Sequence, residues 1–191
     1  DYYASRGLGD VYKRQILYED NDILVVEKDK GILSVATAKE KDNTAYSILK
    51  NYLKEVDPKN KIFVVHRLDR DTSGVMLFAK TPKAQDILQT NWNEMVKERT
   101  YVALVEGAME KETDTIVSYI AENKAYVSYS TTNENEGKKA VSTYKVLKKN
   151  KNYSLVEVNI ETGRKNQIRV HMQDIGPVSY THLTLPTTER V

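Results

Sequence analysis

The chain has 191 residues, 40% of them hydrophobic and 29% charged, an ordinary balance for one domain with its own core. A formal net charge of +2 excludes a polycation that coats phosphate-rich partners by charge alone, so any such partner must meet a local basic patch. The absence of Cys excludes disulfides and Cys-based metal sites, and His66, His171 and His182 lack HxxxH-type spacing, so no metal is expected. There is also no apolar run of bilayer-spanning length and no signal-peptide pattern at the start, which leads us to expect a soluble cytoplasmic protein.

In chain order, Ile16–Tyr18 and Ile23–Glu27 are short apolar runs split by Asp-Asn-Asp, a strand–turn–strand signal. Thr44 caps an expected helix running to about Val56, with Ile48, Leu49, Tyr52, Leu53 and Val56 at helical spacing. Phe63–Val65 and Val75–Ala79 read as strands. Thr81-Pro82 opens a helix carrying Ala84, Ile87, Leu88, Trp92, Met95 and Val96, since Pro at the first helical position forfeits no hydrogen bond. Five β-like runs follow: Tyr101–Val105, Thr115–Ile120, Tyr126–Ser130, Val141–Val146 and Ser154–Ile160. Asn133–Gly137 is a polar turn, and a helix is expected from Gln167. Strands with hairpin-length connections dominate, which predicts an α+β domain with a mixed, largely antiparallel sheet and flanking helices.

The densest chemistry lies in His66-Arg67-Leu68-Asp69-Arg70-Asp71-Thr72-Ser73-Gly74, a loop between two apolar strands. Alternating charges packed this closely are costly unless each is paired or used. HRLDRDTSG resembles the signature loop of the RluA-type RNA pseudouridine synthases. The likeness extends from about Ile16 to Gly176 through four stretches in the same order: ILYEDNDILVVEK, HRLDRDTSG, KERTYVALVEG and TGRKNQIRVH.

The resemblance implies that Asp69 is the catalytic carboxylate, stabilising or trapping the glycosyl cation or acting as a base on the sugar. It implies an ion pair between Asp69 and Arg169, and a site role for Tyr101, whose ring can stack on uracil and whose hydroxyl can serve proton transfer at C5. Arg67 is implied in displacing the target base from its stack. Arg164, Gln167 and His66 are implied with Arg67 on the RNA-binding and base-flipping side of the site, with Arg164 otherwise structural and His66 otherwise holding the loop. Lys28, Lys30, Lys80, Lys83, Lys97, Arg99, Lys138 and Lys139 are candidates for tracking phosphates. The implied reaction needs no cofactor. The implied activity is isomerisation of specific uridines to pseudouridine, in ribosomal RNA before transfer RNA. The expected partner is that RNA, with no membrane, and a monomer is expected.

The chain departs from the family in three places. Lys28-Asp29-Lys30-Gly31 stands where the family has Lys-Pro-x-Gly, and Asn166 stands where it has His. After Gly176 the family's further sheet and core do not follow, so the domain is expected to be 16–177, incomplete at its C-terminal side, with an unpaired sheet edge and reduced stability. Residues 1–15 and 178–191 lack a helical or strand period and resemble translated sequencing-adapter read-through, so both read as non-native extensions. A catalytically inactive RNA-binding module of the same fold is the alternative function. A carboxylate glycosidase is disfavoured, because that chemistry uses two facing acids and Asp71 reads as a turn residue.

Overall fold

The computed structural model describes residues 15–176 and the backbone of 180–184. Residues 1–14, 177–179 and 185–191, which hold most of both expected extensions, lie outside the described residues. The chain divides into two compact units, one running to Lys97 and the other from Glu98 to Pro186. Both have the mixed α+β character expected from the sequence: antiparallel strands with few helices.

The first unit is built on β1 (Ile16–Glu19), β2 (Ile23–Lys28), β3 (Phe63–Val64) and β4 (Thr72–Ala79), with β1 and β4 flanking β2 and β3 also paired to β4. Asp20 makes the β1–β2 turn by accepting the backbone N–H of Asp22 and Ile23 at 2.8 and 2.7 Å. Period-two alternation buries Leu24 and Val26 of β2 opposite Phe78 and Met76 of β4. Helix α1 (Ala45–Val56) starts at Thr44, whose hydroxyl accepts the Ser47 N–H at 3.1 Å while Ser47 returns the bond to the Thr44 N–H. It buries Ala45, Leu49 and Leu53, one residue per turn. Thr81 caps α2 (Pro82–Thr90) by accepting Ala84 N–H at 3.1 Å. The helix expected to continue through Trp92 and Met95 breaks at Asn91 and resumes as the single turn α3 (Trp92–Met95).

The second unit is one antiparallel sheet in the order β10-β5-β9-β8-β6-β7, made of β5 (Thr100–Glu106), β6 (Thr113–Glu122), β7 (Ser128–Thr131), β8 (Lys138–Lys149), β9 (Tyr153–Ile160) and β10 (Tyr180–Thr184). Ala103, Val105, Tyr144, Val146, Val156, Val158 and Ile160 form its core with Ile168 and Met172 of helix α4 (Gln167–Asp174). Two expectations need correction. Tyr126 and Val127 are not in the strand: β7 starts at Ser128, because Tyr126 takes a left-handed φ of 61° in the β6–β7 turn. The edge of β5 is not bare either. Residues 180–184, expected to be patternless, form β10 and pair antiparallel with β5, for example Leu183 with Ala103.

Candidate active site

The segment 65–71 joins β3 to β4 and is pinned at several points. Gln85 and Gln89, one turn apart on α2, both donate to the Val64 carbonyl, at 3.0 and 3.1 Å. His66 Nε2 accepts the Leu77 N–H at 3.0 Å, and its ring lies 4.7 Å from that of Trp92. These contacts tie the imidazole to β4 and to α3. Leu68 is buried, and both its backbone groups meet Ser34: the Ser34 hydroxyl donates to the Leu68 carbonyl at 2.6 Å and accepts the Leu68 N–H at 3.0 Å. Ser34 is itself tied to α1, since Tyr46 N–H donates to its carbonyl at 3.1 Å. The Asp69 carbonyl accepts the Thr72 N–H at 3.1 Å, closing a tight turn. Asp69 is therefore half-buried between two fixed points, Arg67 is exposed, and Arg70 pairs with Glu40 at 2.6 Å.

Lys28 corrects one expectation. It is not a surface phosphate contact: it continues the inward row of Leu24 and Val26 and has no solvent exposure. Its ammonium donates to the carbonyls of Asp29, Ile32 and Arg70 at 2.9, 2.8 and 3.2 Å. Burial lowers its pKa from 10.5 to about 8, against the raising effect of the carboxylates of Asp29, Asp69 and Asp71. A buried positive charge thus sits under the loop that carries Asp69. Of the other cations proposed for phosphate, Lys80 is held by Glu19 at 2.7 Å and Arg99 donates to the Glu161 carbonyl.

In the second unit Tyr101 shares the inward row of β5 with Ala103 and Val105, and packs at the margin of the core that seats α4. The start of α4 is fixed by Gln167, which is buried and fully bonded. Its Oε1 accepts the Thr162 hydroxyl at 2.8 Å and the Arg164 N–H at 3.0 Å; its Nε2 donates to the Val141 carbonyl at 3.0 Å and the Ser142 hydroxyl at 2.9 Å. The buried His171 continues this chain, with Nδ1 2.9 Å from Ser142 Oγ and Nε2 3.0 Å from Ser118 Oγ. Burial lowers the pKa of His171, with a smaller opposing effect of Asp174. Gln167 thus spends its side-chain amide within the protein, on the turn before α4 and on β8. Arg169 projects from the same helix, half-buried. Arg164 donates through Nε to the Lys139 carbonyl at 2.9 Å. Asn166, in place of the family's His, adopts a left-handed φ of 55°, a conformation Asn tolerates better than most residues.

The expected site residues therefore fall into two sets. His66, Arg67 and Asp69 share one braced loop of the first unit; Tyr101, Arg164, Gln167 and Arg169 belong to β5 and the α4 region of the second. The sequence reading missed Lys28 and Ser34 as supports of the loop. The signal for Lys28 was present, because strand alternation from Leu24 places it on the buried face; for Ser34 there was none.

Comparison with known proteins extends these observations. The family model described as RNA pseudouridylate synthase matches residues 22–174. The uncharacterized RNA pseudouridine synthase YhcT of Bacillus subtilis is 33% identical over 175 residues, covering 91% of this chain and 58% of the relative. The ribosomal large subunit pseudouridine synthase D of Borreliella burgdorferi is 32% identical over 163 residues, covering 83% and 50%. The chain spans about half the length of the curated relatives it matches. The solved structure of human RNA pseudouridylate synthase domain containing 4 superposes with a TM-score of 0.76 at 21% identity, over 94% of this chain and 71% of the other, a likeness of fold. With the HRLDRDTSG loop in place and a family match over most of its length, the chain belongs to the RNA pseudouridylate synthase family.

Proposed function

We propose that this protein isomerises specific uridines of RNA to pseudouridine, with ribosomal RNA before transfer RNA as its substrate. The observation that carries the reading is the intact HRLDRDTSG loop, whose backbone on either side of Asp69 is braced by Lys28 and Ser34 and whose His66 is tied to β4. Ribosomal RNA is favoured because relatives bear the name ribosomal large subunit pseudouridine synthase D.

The reaction breaks the N1–C1′ bond of the target uridine, turns the uracil, and forms a C5–C1′ bond; the C5 proton leaves and N1 regains one. A fixed carboxylate beside C1′ stabilises the positive charge that develops as the first bond breaks. Holding the loop rigid means that little reorganisation is needed at that moment. In this reading Arg169 is the cation that the family resemblance pairs with the Asp69 carboxylate, Tyr101 serves the base, and the exposed Arg67 fills the space the uridine vacates. The alternative, an RNA-binding module without activity, leaves the presence of Asp69, Tyr101 and Arg169 together without a purpose.

The test is incubation of the protein and its Asp69→Asn variant with ribosomal and transfer RNA from a strain lacking the enzyme. Carbodiimide-dependent reverse-transcription stops then map any pseudouridine. Stops that require Asp69 support the reading and name the position. RNA binding without stops from either protein favours the inactive module.

A further inference from the structure

Beside the β6–β7 hairpin the second unit has a cleft of about 620 Å³ whose walls include Ser128, Gly137, Lys138, Arg164 and Lys165. It shares Arg164 with the expected site residues, but none of Asp69, Tyr101 and Arg169 lines it. Its cations are held in place. Arg164 is fixed through Nε to the Lys139 carbonyl, and Lys165 pairs with Glu122 and donates to the Tyr126 carbonyl at 3.4 Å. Its acids are engaged locally. Glu122 has Lys165, and Glu136 accepts from Asn133 at 2.8 Å. Lys138 is exposed at the rim.

Tyr126 stands at the tip of the same hairpin. It is 77% exposed and adopts a left-handed backbone, two unfavourable circumstances for a large aromatic residue. The turn nevertheless holds it firmly. Asn123 accepts the Tyr126 N–H on its carbonyl at 2.9 Å, and the Ala125 and Val127 N–H groups on Oδ1 at 2.9 and 3.1 Å. The Lys165 ammonium lies 6.0 Å from the centre of the Tyr126 ring. A solvent-facing aromatic side chain on a bonded turn, next to the held cations Arg164 and Lys165, is the combination that holds single-stranded nucleic acid: the ring stacks a base of any identity, and the cations take the phosphates.

We propose that Tyr126 stacks a base of the RNA strand flanking the target uridine, while Lys138, Arg164 and Lys165 carry that strand's phosphates through the cleft. The proposal rests on the reading of RNA as substrate. The site is a second nucleotide contact, distinct from the one that holds the reacting uridine, and it selects for an unpaired flank.

The probe is a fluorescein-labelled oligouridine of ten nucleotides, read by anisotropy beside pseudouridine formation in the RNA substrate. Loss of one base stack corresponds to a weakening of about 5- to 150-fold, so Tyr126→Ala is expected to raise the Kd by a factor in that range, while Tyr126→Trp retains binding. Thermal melts of both variants verify folding. Lys138→Gln is expected to lower the slope of log Kd against log salt by about 1 without changing the effect of Tyr126→Ala. A 5-iodouracil-substituted oligomer is expected to crosslink to Tyr126. Three outcomes overturn the site: a folded Tyr126→Ala with wild-type Kd, crosslinks only elsewhere, or an active wild-type protein that ignores the oligomer. The first and last leave the RNA reading standing, whereas a wild-type protein that neither binds RNA nor forms pseudouridine overturns both.

Discussion

The sealed ammonium of Lys28 donates to the carbonyl of Arg70 at 3.2 Å, so a buried charge fixes the backbone one residue beyond Asp69. Two more carbonyls, of Asp29 and Ile32, share that ammonium. Lys28→Met fills the volume but takes one donor from each of three carbonyls, of which that of Arg70 keeps a second donor, the Gly31 N–H at 2.9 Å. It is expected to lower stability by about 2–4 kcal/mol and to depress kcat more than it changes KM. Urea unfolding and steady-state kinetics measure both. The pH dependence carries a second signature. The folded state holds this proton less tightly than the unfolded chain, so stability due to Lys28 rises between about pH 8 and 10.5. That rise is expected to be missing in Lys28→Met.

Ser34 is the other brace. Its hydroxyl closes both backbone groups of Leu68, and it has 3% exposure, so water cannot readily replace it. Ser34→Ala is expected to cost about 1–3 kcal/mol and to lower kcat with little change in RNA Kd. A Kd that rises as steeply as kcat falls would show that Ser34 serves binding instead.

His171 gives a pH effect of definite sign. Its proton is held less tightly when folded than when unfolded, so the stability it supports is present above about pH 6.5 and is lost as pH falls through the lower folded pKa. Chemical denaturation between pH 8 and 5 is expected to show declining stability. His171→Leu is expected to be less stable throughout, because Ser118 and Ser142 lose their partner, but with a flatter decline over that range.

Gly137 tests the hairpin's packing. An added Cβ meets the Tyr119 carbonyl carbon at 2.9 Å and the Ile120 carbonyl oxygen at 3.0 Å, both backbone and unable to swing aside. Gly137→Ala is expected to cost about 1–3 kcal/mol, measured as a fall in Tm, whereas Ala at the neighbouring exposed Lys138 leaves Tm nearly unchanged.

Local chemistry made most of this fold legible. Thr44 and Thr81 announced their helices because a hydroxyl before an apolar period satisfies orphan N–H groups, and both act as caps. Strand runs were readable wherever alternation met burial, as in β2, β4 and β9. Tyr126 was misread as strand because its β-favouring side chain conceals a backbone set by Asn123, two positions before Ala125. Within the site, Asp69 and its loop were readable as a motif. The support was not: Lys28 looks like any surface lysine until its place on the inward face is counted, and Ser34 acts through a contact 34 positions away in the chain.

The pairing of β5 has a consequence for the order of assembly. The β6–β7 and β8–β9 hairpins join strands adjacent in the chain, but β5 pairs with β9, placing Tyr101 opposite Val158 across a long closed loop. Loop-closure entropy favours the hairpins first and β5 late. A nascent chain can therefore possess the whole Arg164–Arg169 segment, and even the sheet that supports it, before Tyr101 has a strand to stand on. Tyr101 is therefore placed by a late pairing of its unit, and under the proposed function a partly folded molecule meeting RNA would hold it without being able to act on it.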